Sequence, residues 1–166
     1  MLGSELVRAF LDTDLIAWDK EVDITDADNL QAQLKKAQPD VIINAAAWTD
    51  VEAAEDHEED ATKVNGAAVG TLAEYCAENT ILFCHVSSSW VFDGKKQEPY
   101  VEDDRPNPLT AYGRSKLNGE EEVLKKCQKF YIVRGDRLYG AGGKNIVDTF
   151  RRLGNEKDEI RAVNDQ

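Results

Sequence analysis

Val41-Ile42-Ile43-Asn44, running on into Ala45-Ala46-Ala47-Trp48-Thr49, is the stretch that decides the fold. An apolar run without polar alternation, closed by a turn, predicts a short strand buried on both faces, as in parallel sheets. The small residues after it let backbone approach a ligand closely. Upstream, Ala27, Leu30, Leu34 and Ala37 recur at helical spacing; Thr25 with Asp28 predicts a capping box and Pro39-Asp40 closes the helix. Downstream, Ala61, Val64, Ala68, Leu72 and Tyr75 form a helical stripe. Residues 81–86 predict the next buried strand, with Ser87-Ser88-Ser89 at its carboxyl end. A turn-rich loop over 93–108, a helix beginning near Tyr112, a strand over 130–134, a helix over 145–153 and a last strand over 160–163 follow. At the other end, Leu2, Leu6, Val7, Phe10 and Leu11 predict a helix, and the apolar run 15–18 ends in Asp19. Strands alternating with helices at this rhythm predict an α/β fold, a Rossmann-like doubly wound parallel sheet.

Chemistry in such sheets collects beyond the carboxyl ends of the strands. Asp19, residues 45–49, residues 87–89 and residues 134–139 all fall there. Between them lies Tyr112-Gly113-Arg114-Ser115-Lys116, which puts a phenol and an ammonium one helical turn apart on one face. A lysine beside a tyrosine favours the phenolate, so Lys116 is expected to draw Tyr112 down toward the working range of an acid/base catalyst. Taken alone, the pair could equally be exposed on a helix, the serines an ordinary polar strand end, and Asp19 a loop cap. His85, inside an apolar strand, reads as a core histidine with its hydrogen bonds satisfied. The acidic run 52–60 reads as the solvated start of a helix.

Composition removes whole classes of function. Twenty Lys and Arg against 32 Asp and Glu leave a formal charge of -12, which repels a phosphate backbone and argues against nucleic acid as a partner. No apolar run approaches the length of a membrane span, and no basic leader opens the chain. Cys76, Cys84 and Cys127 are odd in number and lack CxxC spacing, so they read as reduced core thiols of a cytoplasmic protein rather than disulfides or metal ligands. No GxSxG accompanies the serines, so a hydrolase nucleophile is not expected.

Six stretches in order resemble a known family. They are Asp23-Ile24-Thr25-Asp26, Asn44-Ala45-Ala46-Ala47-Trp48-Thr49, Val91-Phe92-Asp93-Gly94, Pro106-Asn107-Pro108-Leu109, the segment from Tyr112 through Lys116 to Glu120, and Val163-Asn164-Asp165-Gln166. The chain resembles the extended short-chain dehydrogenase/reductases and, within them, the dTDP-4-dehydrorhamnose reductase family. The resemblance implies reduction of the 4-keto group of a dTDP-hexose, a nucleotide sugar, by NADPH or NADH. Ser88, Tyr112 and Lys116 would be catalytic: Tyr112 donating the proton, Lys116 also holding the nicotinamide ribose, Ser88 hydrogen-bonding the carbonyl. Gly3, Asp19, Asp23, Ile24, Ala47, Trp48 and Thr49 would bind the cofactor, and Ser88, Ser89 and Arg137 the substrate. No metal is implied within the chain; a homodimer and an interface metal stay open.

Departures from the family pattern bear on the substrate. Ser87-Ser88-Ser89-Trp90 stands where the family has Ser-Thr-Asp-Tyr, and Arg134-Gly135-Asp136-Arg137 where it has Arg-Thr-Ser-Trp. Ser89 lacks a carboxylate, and Arg137 replaces an aromatic platform with a cation suited to phosphate or carboxylate. The usual first strand and most of its glycine turn are not represented, except for Gly3. The expectation is therefore a partial dinucleotide-binding domain over 1–166, with the later substrate-binding segments mostly absent and weak or absent dinucleotide binding by these residues alone. Two other readings share the fold: a non-catalytic dinucleotide-binding subunit resembling the regulatory subunit of methionine adenosyltransferase, and a sugar-nucleotide epimerase or dehydratase.

Overall fold

The computed structural model describes residues 1–140, 143 and 145–160, which form two compact units. One comprises Ile16–Gly135 and the other Met1–Leu15 with Asp136–Gln166. The larger unit contains α2 (Ala27–Ala37), β1 (Val41–Asn44), α3 (Val51–Asp56), α4 (Glu58–Thr62), a π-helical turn (Lys63–Ala67), α5 (Ala68–Asn79), β2 (Leu82–Ser88), α6 (Ala111–Lys126) and β3 (Phe130–Gly135). The smaller unit contains α1 (Leu2–Ala9) and α7 (Ile146–Glu156).

The three strands form a parallel sheet in the order β1-β2-β3, with Asn44 opposite His85 and Ser88 opposite Gly135. Alternation along β2 turns Phe83, His85 and Ser87 toward α5 and α6. Phe83 joins Val69, Leu72, Ala73 and Cys76 of α5, Val123 of α6, and Leu30 and Leu34 of α2 in the core. The Cys76 thiol is pushed up to about 12, chiefly by burial, and so stays protonated.

Several sequence expectations are corrected. Val41 and Ile43 are 48% and 37% exposed, so β1 is not buried on both faces. Its apolar residues serve two environments: Ile42 packs on the core, while Val41 and Ile43 share the opposite face with the exposed Tyr131 and Val133. Residues 15–18 form no strand. Backbone donors and acceptors of a strand need a partner, and β1, β2 and β3 pair only with one another among the described residues. The cap of α2 is Asp26, which accepts from Asn29 N–H at 3.1 Å. Thr25 stands one residue before the cap, and its N–H (2.9 Å) and hydroxyl (2.7 Å) both donate to the Asp23 carboxylate. The strand expected over 160–163 lies, beyond Ile160, outside the described residues. Among them, no helix is long and apolar enough to cross a membrane.

Candidate active site

Ser88 is the last residue of β2 and is buried; its Oγ accepts from Trp90 N–H at 3.3 Å and so starts the 3-10 turn Ser89–Val91. Tyr112 lies in the first turn of α6, whose position is fixed three times over. Thr110 Oγ1 accepts from Gly113 N–H at 3.1 Å, Glu55 accepts from Ala111 N–H at 2.9 Å, and Arg114 makes two bonds to the Glu58 carboxylate at 2.7 and 2.8 Å. Two members of the acidic run 52–60 therefore dock α6 rather than merely meeting solvent. The reason is geometric: α3 ends and α4 begins beside the amino end of α6, where Glu55 meets an unpaired N–H and Glu58 meets the Arg114 guanidinium.

The Tyr112 ring meets Trp90 edge-on, with centroids 6.2 Å apart, and shares with Trp48 a contact on Ala54, Ala61 and Ala111. Burial pushes its phenol above the ordinary range, and a hydrogen bond with Ser88 acts in the opposite direction. Lys116 is not a cause. The expected acidification is thus absent: burial acts the other way, and the Lys116 ammonium is engaged elsewhere, donating to Val86 O at 2.6 Å. Lys116 is only 2% exposed, and burial depresses it from 10.5 to about 8 although Glu120 pulls it upward. It remains an ammonium at neutral pH, but holds its proton less firmly than an exposed lysine.

The loop after β1 is tied to this cluster by a residue that sequence reading passed over. Asn65, fully buried in the π-helical turn, accepts from Trp48 N–H at 2.9 Å through Oδ1. Its Nδ2 donates to Trp48 O at 3.1 Å and to Ser115 Oγ at 2.9 Å. Ser115 passes its own hydroxyl proton to Tyr112 O at 2.7 Å. Trp48, Tyr112 and Lys116 thus share one scaffold, and π-helical turns often occur at such places. The signal was an Asn beside Gly66 inside an Ala-rich helical stripe. Glu120 was missed too: its carboxylate accepts from Ser87 Oγ at 2.5 Å and from Arg134 at 2.9 and 2.7 Å, while Arg134 lies 5.0 Å from the Phe92 ring centroid.

The remaining expected residues are less gathered. Asp19 is exposed in a turn closed by Val22 N–H to Asp19 O, not at a strand tip. The Asp23 carboxylate is used by Thr25, while Ile24 leans on the core. Ala47 is half-buried, Thr49 exposed and Ser89 half-buried. Gly3, where a Cβ would meet nothing within 4 Å, and Arg137 belong to the smaller unit.

His85 is fully buried, yet it is not the satisfied core histidine expected. Asn44 Oδ1 accepts from Ala46 N–H at 3.1 Å, which fixes the amide so that Nδ2 faces His85 Nδ1 at 3.3 Å. Nδ1 must then accept, leaving the proton on Nε2, which has no partner among the described residues. Burial, aided by Lys116, lowers His85 from 6.5 to about 3. The unfolded chain therefore binds the extra proton first, so stability present above pH 6.5 is lost as pH falls toward 3, by about 1.4 kcal/mol per pH unit. His85→Gln is expected to flatten the fall of the urea midpoint between pH 6.5 and 5; an unaltered slope would exclude His85 as its source.

Comparison with known proteins now bears on this geometry. The RmlD substrate binding domain model matches residues 1–166. The chain belongs to the RmlD substrate binding domain family. The dTDP-4-dehydrorhamnose reductase of Burkholderia thailandensis is 42% identical over 146 residues, 88% of this chain and 49% of that protein. The crystal structure of the Bacillus anthracis dTDP-4-dehydrorhamnose reductase in complex with NADP superposes with a TM-score of 0.91 at 34% identity, covering 96% of this chain and 58% of that one. The Clostridium acetobutylicum reductase gives 0.92 at 35% identity, covering 96% and 57%. The motif resemblance and the Rossmann-like α/β fold are borne out. The chain spans about half the length of the relatives it matches.

Proposed function

We propose that the chain carries the proton-transfer residues of an NAD(P)H-dependent reductase acting on the 4-keto group of a dTDP-hexose, with dTDP-4-dehydrorhamnose the substrate of first choice. The observation that supports it is the meeting of Ser88, at the end of β2, with Tyr112, one helical turn from the buried ammonium of Lys116. Relatives of this family bear that activity in their names, and one was crystallised with NADP.

The residues fit a dinucleotide on its ribose and nicotinamide side. Ala45, Ala46 and Ala47 put little between backbone and ligand, and Asn44 and Asn65 hold that loop through Ala46 and Trp48. The bound cofactor supplies the hydride. Charge then builds on the sugar oxygen, where Tyr112 delivers its proton and Ser88 donates a hydrogen bond, both favouring the transition state over the ketone. A phenol held above its ordinary range arrives protonated, as a donor must. Lys116 would hold the nicotinamide ribose, and Ala47, Trp48 and Thr49 would line the cofactor's ribose side. By the family resemblance Asp19, Asp23 and Ile24 would serve the adenosine end and Ser89 the substrate, while Gly3 and Arg137 belong to the smaller unit. The test is NADPH consumption with dTDP-4-dehydrorhamnose. Stoichiometric formation of the alcohol is expected; sugar turnover without net NADPH loss would instead mark an epimerase or dehydratase.

A further inference from the structure

We propose that Glu120 is a positioning residue for Lys116, a single carboxylate that sets both the placement and the charge of the site lysine. Glu120 lies one turn after Lys116 on the same face of α6 and is only 1% exposed. It reaches two strands at once. Ser87, its partner on β2, stands between Val86, whose carbonyl receives the Lys116 ammonium, and Ser88. Arg134, its partner on β3, closes a two-point ion pair over the same carboxylate. The carboxylate thereby sets the register of α6 against the end of β2, where Ser88 and Tyr112 must meet.

Position alone would need no charge, and a neutral amide could make much of the same bonding. The charge matters because Lys116 is buried. A buried ammonium tends to lose its proton, and an anion one turn away opposes that loss. The charged or titratable groups that act on Lys116 are His85 from β2 and Glu120 from α6, with Arg134 from β3 acting through Glu120, while Tyr112, one turn earlier on α6, neither shifts it nor is shifted by it. His85 remains neutral above about pH 3, so near neutral pH the balance lies between burial and the Glu120–Arg134 pair.

The proposal rests on the reading of Lys116 as a site residue, but its test needs no turnover, so failure of the reductase assignment leaves it separately decidable. The Lys116 side chain is titrated by NMR in lysine-labelled protein, its resonance assigned with Lys116→Arg. Glu120→Gln removes the anion and keeps much of the hydrogen bonding; the Lys116 midpoint is expected to fall from about 8 by about one pH unit. Arg134→Gln leaves the anion uncompensated; the midpoint is expected to rise. A purely structural carboxylate would move neither midpoint, or both the same way, and either result overturns the proposal. Should Glu120→Gln not fold, the direction seen in Arg134→Gln decides alone. Loss of folding in both variants would show that the carboxylate holds the fold rather than Lys116.

Discussion

Tyr112→Phe is expected to lower kcat for the keto reduction by about 10²–10⁴-fold, the contribution of a positioned acid/base group. The substitution removes one oxygen and little else. The phenyl ring can still meet Trp90 edge-on and rest on Ala54, Ala61 and Ala111, and Thr110 and Glu55 still hold the first turn of α6. Stability should therefore change by no more than about 1 kcal/mol, the worth of one hydrogen bond. A variant that folds normally and keeps turnover within about threefold of the parent would remove Tyr112 from the proton-transfer role.

Gly119→Ala is expected to destabilise the fold by about 2–4 kcal/mol, read as a lower urea midpoint. In an exposed helix the same change would stabilise by about 1 kcal/mol. Here the added Cβ would collide with the Asn65 carbonyl oxygen and lie 3.3 Å from His85 Nε2. Neither neighbour can yield, since one is backbone of the π-helical turn and the other a buried ring. Relief requires α6 to move off that turn, which breaks the Asn65–Ser115 bond and loosens Trp48 from Tyr112 and Lys116. Gly3→Ala in α1, with open space around its Cβ position, is the control and should not destabilise. A midpoint for Gly119→Ala at or above the parent's would mean that the α6 contact is not as close as described.

The parts of this fold legible in the sequence are those governed by burial on one side of a continuous element. Leu30 and Leu34, and Leu72 and Tyr75, announced their helices because burial leaves a periodic trace, and the apolar runs at 41–44 and 81–86 announced their strands by length and composition. What escaped depends on partners. Residues 15–18 have the composition of a strand but no pairing partner among the described residues, and Thr25 looks like the cap although Asp26, one residue on, is the one that accepts. Glu55 and Glu58 look solvated until α6 arrives beside them.

The site shows the same division. Ser88, Tyr112 and Lys116 are brought to one strand end, as their order and spacing imply, but the electrostatics are not readable from spacing. A lysine four residues from a tyrosine acidifies it only if the ammonium faces the phenol in a medium that does not penalise the phenolate more. Lys116 points instead to Val86 O, and burial of Tyr112 acts the other way. Asn65 and Glu120 act through contacts dozens of residues away or across strands, so single-chain periodicity carries little sign of them.

The central claim is that a sugar ketone at this cluster takes hydride on its carbonyl carbon from a dinucleotide and a proton on its oxygen from Tyr112. A single-turnover reaction with NADPH deuterated at the transferring carbon tests it most directly. The expected result is deuterium at the sugar carbon that bore the keto group, with the label lost from the nucleotide in equal amount. Deuterium that stays in the nucleotide while the sugar is converted would contradict it.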